Sequence, residues 1–176
     1  MQLGQYEYSR GRTDAAIAEL RKAIEWDPNS PPFHHDLAII LSLSGRVREA
    51  IASLETAIKL DPKQALYHYE AGLAWSEAGD LDKTIAALEQ AVKLEPAMSR
   101  AWYNLGLARN GKDDTAGAIE ALARGEAANP RDAALPYARA TILLNLGKKE
   151  EALAAAQAAL AAQPGFPEAQ RLVQML

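Results

Sequence analysis

The sequence predicts an all-α fold, a solenoid of stacked antiparallel helical hairpins, for three reasons. A proline recurs every 34 residues, in the pairs Asp27-Pro28, Asp61-Pro62, Glu95-Pro96, Asn129-Pro130 and Gln163-Pro164. Between these prolines, apolar residues recur at spacings of three and four, which is the period of an α-helix. Hydrophobic residues make up 49% of the chain but aromatic residues only 6%, so alanine supplies much of the apolar content. Such a composition favours close helix packing over a sheet, and the long fixed period indicates units that bury their apolar faces against neighbouring units.

The period predicts a single domain over residues 1–176, with five copies of the unit and a tail. The copies are residues 1–30, 31–64, 65–98, 99–132 and 133–166, and the tail is 167–176. Copy one has a truncated first helix, a predicted turn at Gly11-Arg12, and a second helix that carries Ile17, Leu20 and Ile24. Because Met1 and Leu176 both fall inside predicted helices, we expect the chain to be a piece of a longer protein.

Copies two and three have the clearest helix boundaries. Pro31 suits a helix start, since its fixed φ angle and missing N–H cost nothing there. The pairs Gly45-Arg46 and Gly79-Asp80 predict the turns inside the two hairpins, and Asp80 is a candidate cap for the helix that follows it. Each closing proline is expected to end the second helix, because its ring removes a backbone donor and restricts the preceding residue.

Copy four carries the residues by which the chain resembles a known family. Trp102, Leu105, Gly106, Ala118 and Pro130 match the pattern W-x2-L-G-x2-Y, then A-x3-F, then P over a 34-residue unit. The chain therefore resembles the tetratricopeptide repeat (TPR) family, although Arg109 replaces the tyrosine of the pattern and Leu122 replaces the phenylalanine. The resemblance covers essentially the whole chain and implies a right-handed TPR superhelix.

Small residues at equivalent positions should let paired helices approach closely. On the first helices they are Gly4, Ala38, Gly72, Gly106 and Ala140, and on the second helices they are Ala23, Ala57, Ala91, Gly125 and Ala159. Gly117 and Gly125 should also interrupt the second helix of copy four, at about 1 kcal/mol each relative to alanine. Copy five has Pro136 and Arg139 at usually apolar positions, so its first helix should start late. We expect copies four and five to fray first.

The tail from Pro167 to Leu176 alternates polar and apolar residues, as an amphipathic helix does. A capping helix would use such a polar outer face to keep the end of the stack soluble. The first helix of a sixth repeat would show the same pattern. The sequence does not choose between these two interpretations.

The TPR resemblance implies a binding site for a protein or peptide on one stripe of the first helices, which lines the concave groove of the family. Carried onto this chain, the predicted peptide-binding residues are His35, Ile39, Tyr69, Leu73, Arg100, Tyr103, Leu107, Asn110, Tyr137 and Thr141. Three of them, Tyr69, Tyr103 and Tyr137, are 34 residues apart and would form a ladder of rings and hydroxyl groups. The alternative is that these tyrosines only pack the scaffold. Family members that clamp a terminal carboxylate place lysine, arginine and asparagine here, so a clamp of that type is disfavoured.

Composition argues against several other functions. The net charge of −4 and the pI near 5.4 provide no basic field for nucleic acid or for an acidic membrane surface. There is no cysteine, which excludes thiol catalysis, disulfides and cysteine-rich zinc sites. The sequence contains no signal peptide and no membrane-spanning run, so the cytoplasm is the default prediction for location.

No set of residues predicts catalysis, a metal or a cofactor. His34, His35 and His68 are too far apart or point in different directions for one ion, so we interpret them as packing residues. Ser30 or Ser42 with His35 and Asp36 is the nominal nucleophile set, but His35 and Asp36 point to different sides of one helix. We therefore predict a non-enzymatic protein interaction scaffold.

Two other interpretations of the function remain open from the sequence. The chain could be an accessory or recruitment region of a larger enzyme or exported complex whose catalytic part lies outside it. It could also self-associate weakly through the ends of the stack, because the truncated first helix would leave Ile17, Leu20 and Ile24 partly uncovered.

Overall fold

The computed structural model describes the backbone of residues 2–176 and the side chains of residues 11–176. This part of the chain forms helices connected by short turns and contains no strand, which confirms the all-α prediction. The helices are α1 Gln2–Trp26, α2 Pro31–Leu43, α3 Val47–Leu60, α4 Ala65–Glu77, α5 Leu81–Leu94, α6 Ser99–Gly111, α7 Thr115–Ala128, α8 Ala134–Asn145, α9 Lys149–Ala162 and α10 Pro167–Met175. We call α2, α4, α6 and α8 first helices, and α3, α5, α7 and α9 second helices.

Copy one differs from the prediction, because α1 continues through Gly11 and no turn forms at Gly11-Arg12. A glycine inside a helix costs about 1 kcal/mol relative to alanine. Breaking the helix at that point would leave a segment of under twelve residues, and isolated helices that short are marginal in water. The continuous helix keeps its backbone hydrogen bonds, which outweighs the cost of the glycine.

The turns inside the four following hairpins share one backbone geometry. A residue with positive φ ends each first helix, at Gly45 (74°), Gly79 (80°), Asp113 (62°) and Gly147 (74°). The next amide then donates to a carbonyl five residues earlier, for example Arg46 N to Leu41 O at 2.9 Å and Asp80 N to Trp75 O at 3.0 Å. This is the Schellman arrangement that satisfies the last carbonyls of a helix. The predicted turns at Gly45-Arg46 and Gly79-Asp80 are confirmed, and Asp80 caps α5 through the amide of Lys83 at 3.1 Å.

A second repeated contact holds the link between one hairpin and the next. A side chain on a first helix, or on α10, donates a hydrogen bond to the carbonyl of the proline six residues earlier. The four bonds run from His34 Nε2 to Pro28 (3.0 Å), His68 Nε2 to Pro62 (2.9 Å), Trp102 Nε1 to Pro96 (2.9 Å) and Gln170 Nε2 to Pro164 (2.9 Å). Because a carbonyl only accepts, each of these nitrogens carries a hydrogen. His34 and His68 thus have the same structural role as the indole of Trp102 and the side-chain amide of Gln170.

Copy five lacks this contact because Pro136 stands at the donor position. Its helix α8 begins at Ala134, and the amide of Ala134 donates to Asp132 Oδ1 at 3.1 Å. The hydroxyl of Ser99 donates to the other oxygen of Asp132 at 3.3 Å. The late start predicted for this helix is confirmed, and in this copy the link is held by Asp132 as an acceptor instead of by a donor to the proline carbonyl.

The chain forms two compact units, Met1–Ala87 and Leu88–Leu176. In the first unit, Ile17 is 2% exposed and joins a core with Leu41, Ile51 and Leu54, while Leu20 and Ile24 pack against that core. The expectation that Ile17 is partly uncovered is therefore wrong, because α1 packs against α2, whereas Leu20 and Ile24 are half-buried and thus partly uncovered as expected.

An ion-pair cluster on the surface of the first unit ties α1 to α3. Glu49 accepts two bonds of 2.7 Å from Arg46 and one of 3.0 Å from Arg21. The hydrogen bonds from Arg46, and then Arg21, lower the pKa of the Glu49 carboxyl. Because the folded-state pKa is lowered, this contribution to stability is present above the unfolded pKa near 4 and is lost as pH falls through the folded value.

In the second unit, glycine is required where α7 meets its neighbours. A Cβ atom on Gly125 would lie 2.6 Å from Leu135 Cδ2 and 2.8 Å from Trp102 Cβ, and one on Gly106 would lie 2.7 Å from Leu122 Cγ. Helix α7 is unbroken, so the predicted interruption at its glycines is wrong. Gly125 allows close packing that any side chain would prevent.

Ala23 is half-buried, whereas the other five alanines at the equivalent small positions are buried as predicted. They are Ala38, Ala57, Ala91, Ala140 and Ala159, each no more than 1% exposed. Small residues therefore lie in the helix contacts of both units.

We expect Gly125→Ala to destabilise the protein even though it raises helix propensity. Overpacking of a core costs about 1–3 kcal/mol, and a clash with the Trp102 Cβ atom cannot be relieved by a side-chain rotation. Gly11→Ala is the matched control, because Gly11 is also helical but a Cβ atom added to it would meet nothing within 4 Å. We expect it to stabilise the protein by about 1 kcal/mol. Urea unfolding of both variants measures this, and equal stabilisation by the two substitutions would contradict the proposed packing.

The donor role of His68 predicts that His68→Gln retains stability and His68→Leu loses about 1 kcal/mol. Glutamine is the control because Gln170 makes the same bond at the equivalent position. Thermal unfolding at neutral pH compares the two variants. If glutamine lowers the stability as much as leucine does, the hydrogen bond to Pro62 is not what matters at this position.

Candidate functional site

The predicted peptide-binding residues fall into an open group and a buried group. The open group has Ile39 on α2 and Arg100, Leu107 and Asn110 on α6. Ile39 is 37% exposed and Leu107 is 43% exposed, although both are large aliphatic residues. Leu73 and Thr141 are half-buried, and the hydroxyl of Thr141 donates to the carbonyl of Ala138 at 2.8 Å.

The three tyrosines of the predicted ladder differ in their surroundings. Tyr69 is only 7% exposed, whereas Tyr103 and Tyr137 are half-buried. The ring of Tyr137 lies edge-on to Phe166, with centroids 5.2 Å apart, and packs beside α10. Tyr69 and Tyr137 therefore have clear packing roles, and Tyr103 is on the same helix as the exposed Leu107.

His35 lies mainly inside the first unit, with its side chain 12% exposed. Its ring lies against Tyr67 at a centroid distance of 4.9 Å, with the two ring planes tilted by 37°, and its Nε2 atom has no hydrogen-bond partner. Nδ1 is 3.7 Å from Asp36 Oδ1, which is too long for a hydrogen bond. The nominal nucleophile set of the sequence is thus not assembled around His35.

Tyr67 is a buried phenol beside this histidine. Burial raises its pKa, and the carboxylates of Asp61 and Asp36 raise it further. Because the folded-state pKa lies above the unfolded value of about 10, neutral Tyr67 stabilises the fold fully below that pH. The contribution is lost as the pH rises through the folded-state value.

Within the part of the chain that the structure describes, no three His, Cys, Asp or Glu residues are placed to hold a metal ion. No described helix combines the length and apolar character needed to cross a membrane.

Sequence reasoning missed a cavity in the second unit, with a volume of about 550 Å³, between α5, α6 and α7. Arg109 forms part of its wall and pairs with Glu89 at 2.7 Å. The only signal in the sequence was that Arg109 replaces the tyrosine of the repeat pattern. Its partner lies 20 residues away on another helix, and no local pattern predicts that pairing.

Family comparison agrees with the architecture over nearly the whole chain. Models of the tetratricopeptide repeat match residues 7–72, 76–133 and 137–172. The chain belongs to the tetratricopeptide repeat family. TPR proteins are generally non-catalytic scaffolds, and the fold supports a role in protein–protein interaction.

Several solved TPR structures are similar to this one. The crystal structure of MamA has a TM-score of 0.82 and 26% identity, covering 93% of this chain and 96% of that chain. MamA from Desulfovibrio magneticus RS-1, from residue 41 to its end, has a TM-score of 0.74 and 22% identity, covering 99% and 93%. YrrB, described as a TPR protein with an unusual peptide-binding site, has a TM-score of 0.78 and 18% identity, covering 100% and 90%. No curated protein matches the chain significantly in sequence.

Proposed function

We propose that this TPR protein binds a peptide segment of a partner protein on its first-helix face. Each unit has a first-helix face of its own, which comprises Ile39 and Leu73 in the first unit and Arg100, Tyr103, Leu107 and Asn110 in the second. The observation that carries the proposal is the exposure of Ile39 and Leu107, at 37% and 43%, on helices whose other large aliphatic residues mostly lie in the core. Ile39 and Leu107 occupy equivalent positions two repeats apart. A partner side chain that covered either residue would gain the free energy of removing apolar surface from water.

Polar groups on α6 flank Leu107 at helical spacing. Arg100, Tyr103, Leu107 and Asn110 follow one another at intervals of three, four and three residues, so they share one side of the helix. The phenol and the amide can each donate to a peptide carbonyl, and the amide can also accept. An apolar anchor with hydrogen-bonding groups beside it is the usual composition of a peptide groove.

The first unit offers a small apolar slot beside Ile39. A cavity of about 130 Å³ is lined there by Ile39, Ser42, Leu43, Leu54 and Glu70. Its size suits one aliphatic side chain of a peptide. Because the slot is concave, this part of the first-helix face can select one type of peptide side chain, which a flat surface could not do.

The three tyrosines differ in whether they can contact a bound peptide. Tyr103 is available as a contact residue, whereas Tyr69 and His35 act mainly by holding the first helices that carry the exposed residues. Tyr137 and Thr141 lie on α8 and support the same side through their half-buried side chains. The peptide-binding site of YrrB, a protein with the same fold, supports peptide recognition as the activity.

The proposal predicts that Leu107→Asp weakens peptide binding by about tenfold or more, because it removes an apolar contact worth at least 1.4 kcal/mol. The ligands are linear peptides selected from a displayed random library by the parent protein, and fluorescence anisotropy measures their affinities. Leu146→Asp is the matched control. Leu146 is 49% exposed in the same unit but lies in the turn after α8, where equivalent turns carry Ser44 and Lys112.

We expect the control to bind within about twofold of the parent, a change below 0.5 kcal/mol. Circular dichroism verifies that both variants are folded. Equal affinities for the parent and Leu107→Asp, or equal losses in the two variants, would contradict peptide binding on the first-helix face.

A further inference from the structure

A second candidate binding site lies on another side of α6. The cavity of about 550 Å³ has walls from α5 and α7 and a floor from α6. A volume of this size is within the range of ligand pockets. The residues that matter for its chemistry are Lys93 on α5, Trp102, Leu105 and Arg109 on α6, and Glu120 and Arg124 on α7.

This cavity is separate from the first-helix face. At 3.6 residues per turn, Trp102, Leu105 and Arg109 lie roughly 130° around α6 from Tyr103, Leu107 and Asn110. A ligand in the cavity therefore contacts different side chains from a peptide on the first-helix face. The two sites can be tested independently, with different substitutions.

The walls of the cavity are fixed by ion pairs and hydrogen bonds. Arg109 donates to Glu89 at 2.7 Å and to the carbonyl of Gly117 at 3.1 Å, and its side chain is only 22% exposed. One period earlier, the equivalent position holds Trp75, which packs against the core of the first unit. The arginine therefore gives copy four a polar wall where copy three has an aromatic ring.

Three cationic side chains line the cavity, and two of them form ion pairs with carboxylates. Arg109 neutralises Glu89, and Arg124 neutralises Glu120 at 2.6 Å. Among the described side chains, Lys93 has neither an ion pair nor a hydrogen-bond partner. It lines the cavity from the last turn of α5. A carboxylate is the group that complements a free ammonium in this position.

The floor of the cavity favours an apolar or aromatic side chain. Leu105 and the ring of Trp102 form it, and Val92 lies beside them on α5; Leu105, Trp102 and Val92 are 1%, 9% and 6% exposed. The indole nitrogen already donates to the carbonyl of Pro96. The guanidinium of Arg124 lies 5.7 Å from the centre of the Trp102 ring, within the range of a cation–π contact. The ring is thus fixed by two contacts, and the small part of it that is exposed borders the cavity.

We propose that this cavity binds an acidic peptide segment of a partner protein, with an apolar side chain over Trp102 and a neighbouring carboxylate on Lys93. The chain as a whole carries a charge of −4. Its long-range field therefore repels acidic peptides, and recognition of one depends on the local arrangement around Lys93.

A subtractive peptide selection tests this inference. A displayed library of random linear peptides is selected on the parent protein and depleted on Lys93→Glu, so that only peptides dependent on Lys93 remain. Lys93 is exposed at the end of α5, so the substitution should leave the fold intact, which circular dichroism verifies. We expect the remaining peptides to contain Asp or Glu beside an aromatic or aliphatic residue, and to lose about tenfold or more in affinity for Lys93→Glu.

Two control variants make the result specific to the cavity. Lys59→Glu carries the same charge change at the equivalent exposed position of α3, one repeat earlier, and Leu107→Asp disables the first-helix face. Both should bind the selected peptides within about twofold of the parent, a change below 0.5 kcal/mol. The proposal is overturned if no peptide survives the depletion, if the survivors lack a carboxylate, or if either control weakens binding as much as Lys93→Glu.

Discussion

The close approach of neighbouring helices at small residues is the constraint on which the rest of this structure depends. Ala57, Ala91, Gly125 and Ala159 recur every 34 residues on the second helices, and all four are buried. At Gly125 even one methyl group would overlap two neighbouring side chains. The Schellman turns and the bonds to the proline carbonyls act together with this packing, because they fix where each helix ends and where the next one begins.

Packing through small residues means that some large side chains are not needed for the contacts between helices and can instead bind a partner. Because small residues make the helix contacts, α6 can expose Leu107 on one side while Trp102 and Arg109 line a cavity on another. The two sides have different chemistry, since the first is apolar with neutral donors nearby and the second combines an aromatic floor with a free lysine. A single repeat scaffold therefore provides two candidate surfaces for protein partners.

The sequence predicted the features that depend on local chemistry. The turns at Gly45 and Gly79, the cap at Asp80 and the late start of α8 all follow from residue types and their spacing. It failed where the outcome depends on a distant partner. The burial of Ile17, the need for Gly125 and the pairing of Arg109 with Glu89 each depend on residues or helices far along the chain. For the same reason, the binding residues implied by the family resemblance include exposed Leu107 together with buried Tyr69 and half-buried His35.

Residue-resolved hydrogen exchange of the unmodified protein tests the central claim, that small-residue contacts hold the helices together, most directly. The account predicts slow exchange in α7 around Gly125, comparable with that in α3 around Ala57, because both amides lie in tight helix contacts. This replaces the early fraying of copy four expected from the sequence, because that expectation rested on an interruption of α7 that does not occur. It predicts faster exchange in α10, which is shorter and has only Ala169 and Leu172 buried. Exchange around Gly125 as fast as that in α10 would show that the glycine is a weak point and would contradict the account.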